Sequence, residues 1–111
     1  PQNDNLWQGV NGVNNPCPAG FRLPTHTEFN VERLSWSSSN AAGAFSSPLK
    51  LTLSGYRDSE QGIIYAEELI GGYWNNAISE IYSGNLYFNN SGVSMELGIR
   101  AVGRSVRCIK D

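Results

Sequence analysis

The residue types that carry covalent or acid-base chemistry are thinly spread along this chain, which holds one histidine, His26, and two cysteines, Cys17 and Cys108. A nucleophilic site needs a serine or cysteine beside a base that an acid orients. His26 directly follows Leu23-Pro24-Thr25 at an expected helix start, where its ring is solvated, and no Gly-x-Ser-x-Gly elbow occurs. The carboxylates Asp58, Glu60, Glu67, Glu68, Glu80 and Glu96 fall in stretches that read as exposed turns, so solvated charge accounts for them better than acid-base work. Gly9-Val10-Asn11-Gly12 lacks the helix, lysine and hydroxyl that turn a glycine loop into a phosphate cradle. Cys17, Cys108 and His26 share no metal-ligand spacing. No catalytic residue and no metal ligand is therefore expected, and the chain reads as a protein that binds and does not catalyse.

Recognition chemistry is better represented. Between Tyr73 and Asn90, Tyr73, Trp74, Tyr82 and Tyr87 alternate with Asn75, Asn76, Ser79, Ser83, Asn85, Asn89 and Asn90. Rigid aromatic rings give contact area at small entropic cost, and short polar groups adapt their hydrogen bonds to a partner. The expected ligand-binding residues, on an Asn/Tyr/Trp-rich loop surface, are Tyr73, Trp74, Asn75, Asn76, Tyr82, Asn85, Tyr87, Asn89 and Asn90. A competing reading places Trp74, Leu86 and Phe88 in the core and leaves the asparagines to turns. No cofactor is expected. Calcium is the one ion for which oxygen ligands exist, at Asn75, Asn76, Glu80, Asn89 and Asn90, but no acidic cluster accompanies them. Asn89-Asn90-Ser91 matches a glycosylation acceptor and is assigned no function.

Composition narrows the partners. With 16% charged residues and a net charge of −2, the chain has no basic field with which to displace counterions from a phosphate backbone. No apolar run approaches the roughly 20 residues of a membrane-spanning helix. Pro1 opens no signal peptide, so the sequence is read as mature or trimmed. A Cys17–Cys108 disulfide would close a loop worth about 4–5 kcal/mol in the chain-entropy model and would imply an oxidising compartment. Two unrelated buried thiols are the alternative.

The elements that would hold these residues belong to one domain over 1–111. Turn formers crowd Pro1 to Gly20, which reads as an irregular arm over the core. Thr25 and Glu28 form a capping box, so a helix is expected from His26, with Phe29, Arg33 and Trp36 widened by Val31 and Leu34 as its packing face until Ser37-Ser38-Ser39. Asn40 to Phe45 can make a short capped turn. Leu49, Leu51 and Leu53 alternate with polar residues as in a half-buried strand. Gly55-Tyr56-Arg57 extends that strand, Asp58-Ser59-Glu60-Gln61-Gly62 turns, and Ile63-Ile64-Tyr65 returns as an antiparallel hairpin. Short strands are expected at Gly72–Asn76, Asn85–Asn89, Val93–Met95 and Ser105–Ile109.

Four stretches together resemble a known family: Trp7 to Gly20 with its Pro16-Cys17-Pro18-Ala19-Gly20 run, Phe21-Arg22-Leu23-Pro24-Thr25 with Glu28, Gly72-Tyr73-Trp74, and Ser105-Val106-Arg107-Cys108-Ile109-Lys110-Asp111. They resemble the Fibrobacter succinogenes major paralogous domain, a family of secreted or surface-attached bacterial modules similar to the C-type lectin-like fold in its formylglycine-generating-enzyme variety. The resemblance implies an α+β, C-type lectin-like domain with one main helix, short antiparallel strands and long irregular loops. It implies a Cys17–Cys108 disulfide and framework ion-pair roles for Arg22, Glu28 and Arg107; enzymes of the related fold depend on a reactive cysteine pair, whereas the two cysteines here suit a staple, so no catalysis is implied. Family members commonly carry Ser-Ser where Asn75-Asn76 stands here, and an upstream segment, so the chain is expected to be the C-terminal part of a longer domain. The function expected is that of an exported bacterial module, secreted or at the cell surface, that recognises a protein or carbohydrate ligand. The alternative is a subunit of a surface layer, fibre or pilus that contacts copies of itself.

Overall fold

Helix α1 (His26–Leu34) begins where the capping box places it. The Thr25 hydroxyl accepts from the Glu28 amide at 3.1 Å, and the Glu28 carboxylate accepts from the Thr25 amide at 2.8 Å. Two amides that the first turn leaves without helical partners are thereby satisfied, an arrangement worth about 1 kcal/mol. A computed structural model describes residues 3–111. The helix buries Phe29, whereas Val31 and Leu34 are exposed. At about 100° per residue, Val31 lies about 200° around the axis from Phe29. The packing face is therefore narrower than the sequence reading, and Trp36 joins the core from the turn after the helix, meeting Phe88 edge-on at 5.9 Å.

The protein is a mixed α+β structure. Its elements run β1 (Phe21–Arg22), α1, α2 (Ala41–Ser46), β2 (Tyr56–Arg57), β3 (Ile64–Tyr65), β4 (Ile70–Ser79), β5 (Tyr82–Asn89), β6 (Val93–Ile99) and β7 (Ile109–Lys110). The short helix α2 is capped by Asn40, whose side chain accepts from the Gly43 amide. Strands β2 and β3 form the expected hairpin, with Tyr56 opposite Tyr65. The main sheet is antiparallel in the order β4-β5-β6. Its strands are longer than the expected short pieces, at 10, 8 and 7 residues. Tyr73, Leu86 and Phe88 point from this sheet into a core shared with Phe29, Ala41, Ala44 and Leu51.

Of the remaining expected strands, one is absent and one is reduced to its last residues. Leu51 is buried and Leu49 and Leu53 pack beside it, so the alternation reports burial correctly, yet the segment joins no sheet. Lys50 has a φ of 54°, which interrupts extended backbone. The amides of Leu51 and Thr52 bond instead to the Ala44 carbonyl and the Tyr73 hydroxyl. Near the C-terminus only Ile109–Lys110 pairs, with β1, while Ser105 makes an isolated bridge to Tyr73.

The beginning and end of the described chain are held together. Phe21 lies opposite Lys110 and Arg22 opposite Ile109, and beside this ladder Cys17 and Cys108 form a disulfide with Cα atoms 5.8 Å apart. Arg22 pairs with Glu28 and Asp111, as a framework residue should. Among the described residues Arg107 makes no ion pair: its guanidinium donates to the carbonyls of Leu49 and Cys108.

Candidate functional site

The ladder between β4 and β5 is interrupted at the residues of most interest. Trp74 lies opposite Asn85 and Ile78 opposite Ser83, so Asn75, Asn76 and Ala77 oppose Gly84 alone. Such a bulge bends its strand and re-aims side chains. The Asn76 amide turns out of the ladder to the Pro24 carbonyl at 3.0 Å. Asn75 closes a local turn, its Oδ1 accepting from the Ala77 amide at 2.9 Å. Gly84 is required opposite them, since a Cβ there would collide with the Asn75 oxygen.

The N-terminal arm lies against this bulge. Residues 3–20 contain no helix or strand, only a bridge between Leu6 and Val13. Gln8 donates from Nε2 to the Asn76 carbonyl at 2.9 Å, and Asp4 pairs with Arg100 at 2.8 Å. Arg100 also donates to the carbonyls of Glu80 and Tyr82, so one guanidinium ties the arm to the β4–β5 turn. Trp7 sits at a φ of 63°, a left-handed conformation uncommon for a large side chain and found disproportionately at binding sites.

Between arm and bulge lies a recess of about 200 Å³, lined by Leu6, Trp7, Leu23, Trp74 and Ile78 on its apolar side and by Asn3, Gln8, Asn75, Asn76, Ser83 and Arg100 on its polar side. Asn75 is only 3% exposed, and among the described residues its Nδ2 and the Nε of Arg100, both closed off from solvent, have no hydrogen-bond partner. Trp74 is itself held by Arg104, whose guanidinium lies 5.3 Å from the indole centroid. Burial pushes the Arg104 pKa down, opposed by Tyr56, Tyr87 and Glu96.

The expected binding residues therefore separate. Trp74, Asn75 and Asn76 line the recess. Tyr73 belongs to the core, stacked on Phe88. Asn85 is 1% exposed on the sheet face that Arg104 covers. Tyr87 is half-buried beside Gly72 and Ser94. Tyr82 stands at the open end of the sheet opposite Ile99. Asn89 and Asn90 lie at the other end, where Asn89 Oδ1 accepts from the amides of Ser91 and Gly92. The run is thus a strand pair with two faces and two ends, in place of the loop surface expected.

The same geometry dissolves the calcium set. Glu80 follows the Ser79–Tyr82 end of the ladder and Asn89 pairs with Ile70 at the other, about 25 Å away at the rise of a strand. Among the described residues no group of three or more His, Cys, Asp or Glu side chains is placed to hold a metal ion. Trp7, Gln8, Leu6, Leu23 and Arg100 were not anticipated as site residues. Trp7 within a turn-rich arm is the signal the sequence offers; the bond of its neighbour Gln8 to Asn76 across the fold is not visible there. No family model, no curated protein and no solved structure matches the chain.

Proposed function

We propose that this protein is an exported bacterial binding module, secreted or at the cell surface, of C-type lectin-like fold and of the Fibrobacter succinogenes major paralogous domain family, that recognises a protein or glycan ligand and catalyses nothing. The observation that carries the binding reading is the recess walled by Trp7 and Trp74, beside Asn75 and Asn76. Aromatic faces beside a few polar side chains are the usual equipment of a small ligand site. The pairing of β1 with β7, the disulfide beside it and the helix α1 that follows β1 support the fold assignment. The disulfide supports export, and among the described residues no helix is long and apolar enough to cross a membrane.

Wild-type protein and Trp7→Ala are compared on arrays of glycans and of proteins, with circular dichroism as the check on folding. Binding by the wild type that a folded Trp7→Ala loses supports the reading. A wild type that binds nothing, or a Trp7→Ala variant that binds as well, overturns it.

A second reading has one observation of its own. Tyr82, Leu97 and Ile99 are exposed on one face at the open end of the main sheet, with Ile81 exposed in the adjoining turn and Tyr82 directly opposite Ile99. Such a patch favours contact between copies in a layer, fibre or pilus. Concentration-dependent association in ultracentrifugation, abolished by Leu97→Lys, supports that assembly reading; a strict monomer excludes it.

A further inference from the structure

We infer that the free edge of β6 pairs antiparallel with β6 of a second copy about a twofold axis at Leu97, an inference that rests on the assembly reading above and narrows it from an open layer or fibre to a closed pair. Among the described residues β6 ends the main sheet, with β5 as its one neighbour. Its seven residues pair with β5 without a bulge, and no backbone hydrogen bond from outside that ladder reaches residues 93–98. Folded proteins blunt such edges with lysine, proline, bulges or a covering loop. Val93-Ser94-Met95-Glu96-Leu97-Gly98-Ile99 has neither lysine nor proline, and Glu96, Leu97 and Ile99 are exposed.

Charge selects a second copy as the occupant and Leu97 as the centre. Glu96 lies opposite Asn85, and Asn85 opposite Trp74, so Glu96 stands on the face where Arg104 covers Trp74. Arg104 is half-buried and has no carboxylate partner among the described residues, and its Nη2 lies 3.0 Å from where a Cβ on Gly98 would be. A twofold axis sets one residue opposite its own copy and pairs the others symmetrically. Centred on Leu97, it brings Glu96 of each copy opposite Gly98 of the other, beside the Arg104 that lacks a carboxylate. On the opposite face Leu97 then meets Leu97, and Met95 meets Ile99, as apolar cross-strand pairs. Centred on Glu96, two carboxylates would meet; centred on Met95, Glu96 faces Ser94 and Arg104 gains nothing. Centred on Gly98, Glu96 faces Arg100, which Asp4 already neutralises. One chain thus carries both halves of the ion pair, which a foreign strand need not.

Wild type, Leu97→Cys and Ile99→Cys, each with the Cys17–Cys108 bridge intact, are compared on non-reducing gels after air oxidation. Directly opposed residues have Cα atoms about 4.5–5.5 Å apart, within reach of a disulfide, so Leu97→Cys should link to its own copy. Ile99→Cys, about 13 Å from its twin in this register, should not, although both positions are exposed. Charge reversal gives the second arm. In sedimentation equilibrium Glu96→Arg alone and Arg104→Glu alone should each weaken association about tenfold or more. Mixing the two should restore it, because each supplies the charge that the other lacks. Should Arg104→Glu not fold, the cysteine variants carry the test. Linkage of Ile99→Cys as readily as Leu97→Cys, or a mixture of folded charge variants that associates no better than either alone, overturns the twofold register and leaves the assembly reading standing. Assembly past two copies overturns the closed pair. A strictly monomeric wild type overturns both the pairing and the assembly reading. A monomer that captures an unrelated protein on the array, and loses it in Leu97→Lys, gives the edge to a foreign strand and overturns the pairing likewise.

Discussion

Arg22 grips the Glu28 carboxylate with both terminal nitrogens, Nη1 to Oε1 at 2.7 Å and Nη2 to Oε2 at 2.9 Å, while its Nε reaches Asp111. Because Glu28 is also the capping-box residue, one carboxylate joins the helix start to β1, and Arg22 carries the link to the end of the chain. The Arg22 hydrogen bonds, aided by the Thr25 amide and opposed by partial burial, hold the Glu28 pKa down to about 2. A carboxylate with a depressed folded pKa contributes stability that is complete above its ordinary value and lost as pH falls through the folded one.

The first prediction follows from that sign. Glu28→Gln should lower stability at pH 7 by about 1 kcal/mol, a modest figure because the carboxylate is partly exposed. The gap from wild type should close between about pH 5 and pH 2. Thermal melts of both proteins over that range check it. An equal gap at pH 7 and pH 2 would show that packing, and not the ion pair, is what Glu28 supplies.

The disulfide carries the second prediction. The ladder it flanks pairs only Phe21 with Lys110 and Arg22 with Ile109, and the bridged residues are 91 apart in sequence. Closing so long a loop removes much of the unfolded chain's freedom. Replacing Cys17 and Cys108 together by serine should cost about 4–5 kcal/mol in urea denaturation. A loss under about 1 kcal/mol would assign the joining of the chain ends to the Arg22 network instead.

How much of this was legible in the sequence depended on the range of the interaction. Thr25 and Glu28 satisfy each other within one helical turn, so the start of α1 could be read residue by residue. The β2–β3 hairpin, with a short turn headed by Asp58, was equally local. Leu49, Leu51 and Leu53 showed burial but not pairing, because the amides of Leu51 and Thr52 are met by Ala44 and Tyr73, partners no periodicity encodes. At the site, Trp74, Asn75 and Asn76 were visible as residue types. Their exit from the ladder was not, since it depends on Pro24, Gln8 and Gly84 arriving from three other segments.

Arg104 supplies a third prediction. Its guanidinium is half-buried over Trp74, fills the space above Gly72 and Gly98, and has no carboxylate partner among the described residues. Desolvation of its charge is a cost that a similar-sized apolar side chain avoids. Arg104→Met should therefore change stability by less than about 1 kcal/mol while shifting the Trp74 fluorescence. A loss above about 2 kcal/mol would instead show that the cation over the indole is a net source of stability.

Gly84 tests the origin of the recess itself. A Cβ added there meets Asn75 Oδ1 and lies 3.0 Å from the Ala77 Cβ, so the bulge cannot keep its shape around an alanine. Gly84→Ala should cost about 1–3 kcal/mol, the range for overpacking a fitted interior, and should move the Asn75 side-chain amide resonances. Gly92→Ala is the control, because nothing lies within 4 Å of its added Cβ and its backbone is not left-handed. Urea denaturation and NMR of the two variants separate the cases. If both behave as wild type, Asn75 does not owe its position to the space that Gly84 leaves. If only Gly84→Ala is destabilised and displaces Asn75, the missing side chain on β5 is what lets β4 bulge and pack the Asn75 amide against it.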